Sequence, residues 1–238
     1  MNYFSRAKNL IVDILFPKKC LNCGREGTYF CEDCFSLVSI NPFVHCLCEN
    51  SQKLPFAGKC PRCEKRKLNG IFAATDFKSR QVKLMVHNFK YKSQIKELCY
   101  PLSILILTHF NVVAKDLPGD CVIVPVPLFI KRKKARGFNQ AEEIGKTICE
   151  AIKIPISIDN LVRIKNTHPQ VGLSKEGREE NIAGAFAVKN PEELKDKNIF
   201  LLDDVYTTGA TMEECAKTLK RAGAREVWGV VAARESNK

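Results

Sequence analysis

Asn198-Ile199-Phe200-Leu201-Leu202-Asp203-Asp204-Val205-Tyr206-Thr207-Thr208-Gly209-Ala210-Thr211 is the stretch that decides how this chain reads. Its apolar opening predicts a buried strand. The strand ends in two adjacent carboxylates, a Thr-Thr-Gly-Ala-Thr run follows, and a helix is predicted from Thr211 to Ala222, stopped by Gly223. Open α/β sheets bind ligands beyond the carboxyl ends of their strands. At the start of the next helix, unpaired N–H groups and the helix dipole favour a phosphate. Gly209 lets the backbone approach closely or take a positive φ, and the hydroxyls of Thr207, Thr208 and Thr211 add donors on either side of Ala210. Asp203 and Asp204 would repel a phosphate unless they served another group. Vicinal sugar hydroxyls can each donate to a carboxylate oxygen, and a Mg²⁺ bridging a pyrophosphate also fits. The segment therefore reads as a pentose-phosphate loop. The Gly-Lys-Ser/Thr ending of a Walker loop is missing.

Outward from this loop, apolar strands alternate with amphipathic helices, which predicts parallel strands with crossover helices. Strands are expected at 70–75, 121–127 and 226–233, and helices at 95–110 and 139–152, the last capped by Asn139. The run Lys131-Arg132-Lys133-Lys134-Ala135-Arg136 follows the strand that ends at Pro127. A cationic loop there suits a pyrophosphate or a nucleic-acid backbone. The stretch from Arg163 to Phe186 is long, polar and weakly periodic, as lids often are. Lys165, His168, Gln170 and Arg178 are its candidates to reach a substrate, with Asn181 in the same loop, and His168, Lys165 and Arg178 are the candidates for catalysis.

The 238 residues include twelve cysteines and carry a formal net charge of +12. That charge favours a polyanionic partner, and an apolar fraction of 45% argues against disorder. The apolar stretch 9–16 is too short for a signal peptide and carries Asp13, and no run is long enough to span a bilayer. The expected location is the cytosol, where clustered thiols read as metal ligands. Cys20-x-x-Cys23 and Cys31-x-x-Cys34 have the spacing of one tetrahedral Cys₄ zinc site. Cys60-x-x-Cys63 is a second pair. Its partner is Cys46-x-Cys48, or His45-x-x-Cys48 if a two-residue gap is kept. One or two structural zinc ions are implied, and iron–sulfur binding and redox-active thiols are the alternatives. A helix is predicted over 4–16, stopped by Pro17. The chain divides into residues 1–68, with this helix and a double zinc ribbon, and residues 69–238.

The loop resembles the phosphoribosyl pyrophosphate (PRPP) motif of type I phosphoribosyltransferases. More narrowly, the chain resembles the ComF (ComFC) family of DNA-uptake-associated phosphoribosyltransferase-like proteins. The likeness covers nearly the whole length. It rests on Phe89-Lys90-Tyr91, Pro125-Val126-Pro127, Arg136-Gly137-Phe138-Asn139-Gln140, the stretch from Gln170 to Phe186, the PRPP loop and the cysteine ribbon. It departs from the family's repeated Cys-x-x-Cys pattern at Cys46. The resemblance implies a type I phosphoribosyltransferase domain, α/β with a parallel sheet and flanking helices, after the ribbon. It assigns PRPP to Asp203, Asp204 and residues 207–211, with Mg²⁺. Pyrophosphate or another anion goes to Lys131, Arg132, Lys134, Arg136, Lys90 and Tyr91, and Gln170, Arg178 and Asn181 lie on a closing flexible loop. It implies a role in DNA uptake during natural transformation. Phosphoribosyl transfer is one reading. The other is a non-catalytic, PRPP-sensing factor that binds single-stranded DNA beside a competence helicase.

Overall fold

The computed structural model describes residues 17–48, 53–54, 59–92, 95–113, 119–167 and 175–235. The helix expected over 4–16 lies outside them. The central sheet has six strands: β1 (Val44–His45), β2 (Lys53–Leu54), β3 (Gly70–Asp76), β4 (Cys121–Pro125), β7 (Asn198–Tyr206) and β8 (Glu226–Arg234). Their order is β2-β1-β3-β8-β7-β4. The four strands from β3 to β4 are parallel. The cysteine-rich segment contributes β1 and β2 as an antiparallel pair on the β3 edge, with His45 opposite Ile71.

Every strand residue of β3 from Gly70 to Thr75, and all of β4, is buried, as expected where helices cover both faces. Successive side chains point to opposite faces, and two cores result. Phe72, Ile123, Phe200 and Val230 pack with α3 (Cys99–Val113) and α5 (Gln140–Ile152). Ile71, Val124, Leu201 and Val231 pack with α7 (Ala210–Arg221) through Met212, Cys215 and Leu219. The two cysteine sets divide in the same way. Cys20, Cys31 and Cys34 belong to the first core, and Cys46, Cys60 and Cys63 to the second. The remaining helices are α1 (Glu32–Ser36), α2 (Arg80–His87), α4 (Ile130–Arg136) and α6 (Lys175–Ile182), and β5 (Leu161–Arg163) and β6 (Phe186–Val188) form a separate antiparallel pair.

Three local expectations are corrected. The strand does not end at the carboxylates: β7 runs on to Tyr206, because β8 continues beside it to Arg234 and keeps the ladder paired. The cationic run 131–136 is not a loop but part of α4, which buries no side chain. Lys and Arg are good helix formers, and the positive φ of Gly137 ends the helix. The stretch 163–186 is not all loop, since α6 lies within it and β5 and β6 pair across it. The first turns of α5 meet their expected cap, with Asn139 accepting from the Ala141 N–H at 3.2 Å.

Candidate functional site

A cleft of about 800 Å³ opens at the carboxyl ends of β4 and β7. Its floor is the segment from Asp203 to Met212. Gly209 takes φ +79° and starts α7, so the N-terminus of the helix, the end that favours an anion, faces the cleft. A Cβ at Gly209 would stand 2.2 Å from the Tyr206 hydroxyl, so only glycine fits here. Thr207, Thr208, Ala210 and Thr211 line the same space.

The acidic pair is held unequally. Asp204 is only 2% exposed. Its Oδ1 lies 2.7 Å from Lys90 Nζ, while its Oδ2 is buried without a hydrogen-bond partner. Asp203 is partly buried, and its Oδ1 accepts from the Asp204 N–H at 2.9 Å. Burial and the neighbouring Asp204 charge push Asp203 up to about 7, against the pull of Lys90. An orphaned buried oxygen beside a second carboxylate suits a hydroxyl donor or a divalent cation.

Lys90 reaches Asp204 because two sequence motifs meet. Residues 88–92 form one π-turn after α2, a local distortion common at functional sites. The Phe89 ring packs on Phe138, with centroids 5.4 Å apart, and Gln140 Nε2 donates to the Phe89 carbonyl at 3.3 Å. Gln140 Oε1 accepts from Arg136 at 3.0 Å. Lys90, Arg136, Asn139 and Gln140 thus line one side of the cleft.

Arginines supply the rest of the cleft's positive charge. Arg132, Arg163 and Arg178 line it together with Arg136. Arg132 donates to the Thr167 carbonyl at 2.9 Å, and Arg163 donates to the Thr167 hydroxyl. Arg163 lies over the Phe186 ring, and its Nε is buried without a partner. Burial and the Arg132 charge both lower its pKa. Two guanidiniums that repel one another in a partly buried cleft make a setting that an anion relieves. Arg163 was not singled out from sequence. It sits at the end of β5, and only the pairing of β5 with β6 brings it here.

The other expected residues fall elsewhere. Lys131 and Lys134 are exposed and outside the lining. Lys165 donates to the Ala183 carbonyl at 3.0 Å and does not line the cleft, nor does Asn181. His168 and Gln170 lie outside the described residues, as does the Tyr91 side chain. Two glutamates that the sequence did not flag brace the loop. Glu213 accepts from the N–H groups of Lys67, at 2.6 Å, and Leu68, and Glu214 accepts from Gly184 N–H at 2.9 Å.

The cysteines converge into two Cys₄ groups, Cys20/Cys23/Cys31/Cys34 and Cys46/Cys48/Cys60/Cys63, with all Sγ atoms of a group within 4.8 Å of one another. Tetrahedral zinc–thiolate bonds of about 2.3 Å put sulfurs about 3.8 Å apart. The spacings of 3.6 Å for Cys23–Cys31, 3.5 Å for Cys48–Cys60 and 3.7 Å for Cys60–Cys63 suit that, while Cys48 and Cys63 stand closer, at 3.0 Å. Cys46, not His45, completes the second group. His45 belongs to β1 and faces Ile71 across the ladder. The thiols ionise unequally. Burial opposes it, yet backbone hydrogen bonds from Cys31, Cys23 and Asn22 bring Cys20 down to about 6. The hydrogen bond to Cys63, with burial, pushes Cys48 well up. A bound cation is what would hold all four as thiolates. No helix among the described residues is long and apolar enough to cross a membrane.

The sequence profile of the phosphoribosyl transferase domain matches residues 107–238. Over 236 residues the chain is 28% identical to competence protein F of Haemophilus influenzae, which covers 92% of this chain and 98% of that protein. Competence protein ComFC of Bacillus subtilis is 35% identical over 104 residues, 43% of this chain and 39% of the relative. Among solved structures, a purine phosphoribosyltransferase from Pyrococcus horikoshii matches 60% of this chain and 74% of its own at 16% identity, with a TM-score of 0.31.

Proposed function

The chain belongs to the phosphoribosyl transferase domain family, and from that premise we propose that its cleft binds a 5-phosphoribosyl ligand, PRPP first among them. One observation carries the reading: the Asp203–Asp204 pair and the Gly209-led start of α7 open into the same cleft. Phosphate N–H donors and sugar-hydroxyl acceptors then stand side by side. Arg132, Arg163 and Arg178 offer a second anion subsite in the same cleft, as a diphosphate requires. Asp203 and the free Oδ2 of Asp204 would face a Mg²⁺ that accompanies the diphosphate, and that ion would supply charge neutralisation for the leaving group. If transfer follows binding, the arginines stabilise the charge that develops on departing pyrophosphate, and water exclusion falls to the segment around α6.

The test is calorimetry with PRPP. Each charged hydrogen bond contributes about 1.5–3 kcal/mol. Asp203→Asn/Asp204→Asn should therefore weaken binding by about two orders of magnitude, and a 2-deoxyribose analogue should bind wild type poorly. A folded double variant that binds PRPP as tightly as wild type removes the reading.

The setting is DNA uptake, in the cytoplasm beside a competence helicase. Support comes from relatives named competence protein F and DNA utilization protein YhgH and from the net charge of +12. Within it, a non-catalytic role is favoured by the basic surface: single-stranded DNA held by its phosphates, with PRPP as the sensed ligand. Binding of single-stranded DNA that weakens steeply with salt, without pyrophosphate release from PRPP in the presence of a base pool, selects that role over transfer.

A further inference from the structure

The second cysteine group is wired to the phosphate loop. Three consecutive carbonyls of its first knuckle, those of Cys46, Leu47 and Cys48, are taken by two side chains from the far ends of β7 and β8. Arg234 donates Nη1 to the Cys46 carbonyl at 2.6 Å and Nη2 to the Cys48 carbonyl. The Tyr206 hydroxyl reaches the Leu47 carbonyl at 3.4 Å. Tyr206 and Arg234 are register partners, and the guanidinium lies over the phenol ring, 5.2 Å from its centroid. Both are buried, at 2% and 5% exposure. The same ring is the surface on which Gly209 rests, since a Cβ there would meet its hydroxyl.

A second tether runs from the other knuckle. Beyond Cys63, the N–H groups of Lys67 and Leu68 bind Glu213 in the first turn of α7. The phosphate loop is thus bracketed by the second cysteine group from below, through Tyr206, and from behind, through Glu213. The first group is built differently. Its cysteines pack in the opposite core with Phe72, away from α7. A knuckle without its metal loses the bonds that fix its backbone, and its carbonyls then no longer hold Arg234 and Tyr206 in place.

We infer that metal occupancy of the second cysteine group, and not of the first, sets the geometry and hence the affinity of the phosphate loop, with Tyr206 and Arg234 as positioning residues. The affinity half of this inference rests on the phosphoribosyl reading of the cleft, but the coupling itself does not. The experiment therefore has two readouts on the full chain, with zinc content followed by elemental analysis. Hydrogen exchange over 206–212 is compared in wild type, Cys63→Ser and Cys23→Ser, and PRPP binding is measured by calorimetry on the same proteins. Cys63→Ser should lose one zinc, speed exchange across the loop by about tenfold and weaken PRPP by a similar factor. Cys23→Ser should lose the other zinc and change neither. Arg234→Lys and Tyr206→Phe keep all eight cysteines, so they report even if Cys63→Ser misfolds. Each should retain zinc while speeding exchange across the same peptide.

Unchanged exchange over 206–212 in Cys63→Ser, Arg234→Lys and Tyr206→Phe overturns the coupling. PRPP binding that is equally tight in those variants and wild type overturns the affinity half, and leaves the phosphoribosyl reading in place. Faster exchange in a protein that binds no PRPP in any form keeps the coupling and removes that reading instead.

Discussion

Lys90 Nζ sits 2.7 Å from Asp204 Oδ1, an ion pair whose carboxylate is 2% exposed. It joins the π-turn after α2 to the last third of β7, so the wall and the floor of the cleft are held by one contact. Taking away one partner of a buried pair leaves an uncompensated charge, at about 3–5 kcal/mol. Lys90→Met should therefore destabilise the fold by about 3 kcal/mol in urea unfolding. Lys90→Met/Asp204→Asn should recover most of that loss, because no charge is then left unpaired. Equal losses in single and double variants would show that Lys90 matters for packing and not for charge.

Asp203 gives the cleft a pH signature. Its carboxyl is raised from an ordinary 3.8 to about 7, by burial first and by Asp204 second. Between those two values the folded chain keeps a proton that the unfolded chain has lost. Stability contributed by this group is therefore complete below 3.8, falls as pH rises toward about 7, and is flat above; proton linkage fixes that sign. Asp203→Asn should flatten this window in denaturation curves taken across the range. A slope unchanged by the substitution places the titration elsewhere.

What could be read from the chain was local. The Asn139-capped α5 and the amphipathic α7 announce themselves by period and cap, and the cysteine groups by spacing. The cationic helix α4 hid because it has no apolar period to read. The extra length of β7 depends on β8 lying alongside, with Asp203 opposite Val231 and Tyr206 opposite Arg234. No pattern within residues 198–211 carries that. Arg163 and the Lys90–Asp204 pair are likewise products of long-range packing. The choice between His45 and Cys46 was closed by pairing: His45 is committed to β3, and its neighbour in sequence turns into the thiol group.

Gly209 is fixed twice, by a φ of +79° and by the Tyr206 ring. Gly209→Ala adds a positive-φ cost of about 1 kcal/mol and a Cβ that overlaps the phenol. The loop has to shift, so PRPP binding should fall by more than about tenfold, with a small drop in melting temperature. Tyr206→Phe should not rescue it, because Cζ and Cε2 would still lie 2.4 and 2.7 Å from the new methyl. Normal binding by Gly209→Ala would mean that the ligand does not rest on this turn.

Two Cys₄ groups imply two zinc ions per chain. Elemental analysis of protein purified under reducing conditions should return two zinc and no iron. Stripping them should cost most of the fold of residues 17–68, because a small segment without a large core draws its stability from the metal. Circular dichroism and protease sensitivity before and after chelation check this. An iron chromophore, or a chelated chain as protected as the native one, would assign the cysteines another role.

The last expectation separates cleft arginines from surface lysines. Arg132 and Arg163 share Thr167 and oppose one another's charge, whereas Lys131 and Lys134 point to solvent outside the cleft. If these arginines take a diphosphate, Arg163→Gln removes a charged donor and should weaken PRPP by tenfold or more, since such bonds contribute about 1.5–3 kcal/mol. It also relieves Arg132, which offsets the lost stacking on Phe186, so stability without ligand should stay within about 1 kcal/mol of wild type. Lys131→Gln/Lys134→Gln removes two charges and should leave PRPP affinity nearly unchanged. The same pair would lower the salt dependence of any nucleic-acid binding by about two ion releases, because an exposed helix face can track a phosphate backbone. Calorimetry with PRPP and salt titration with an oligonucleotide, run on both variants, tell the two anion sites apart. If Lys131→Gln/Lys134→Gln weakens PRPP as much as Arg163→Gln does, the diphosphate lies on the face of α4 and not in the cleft.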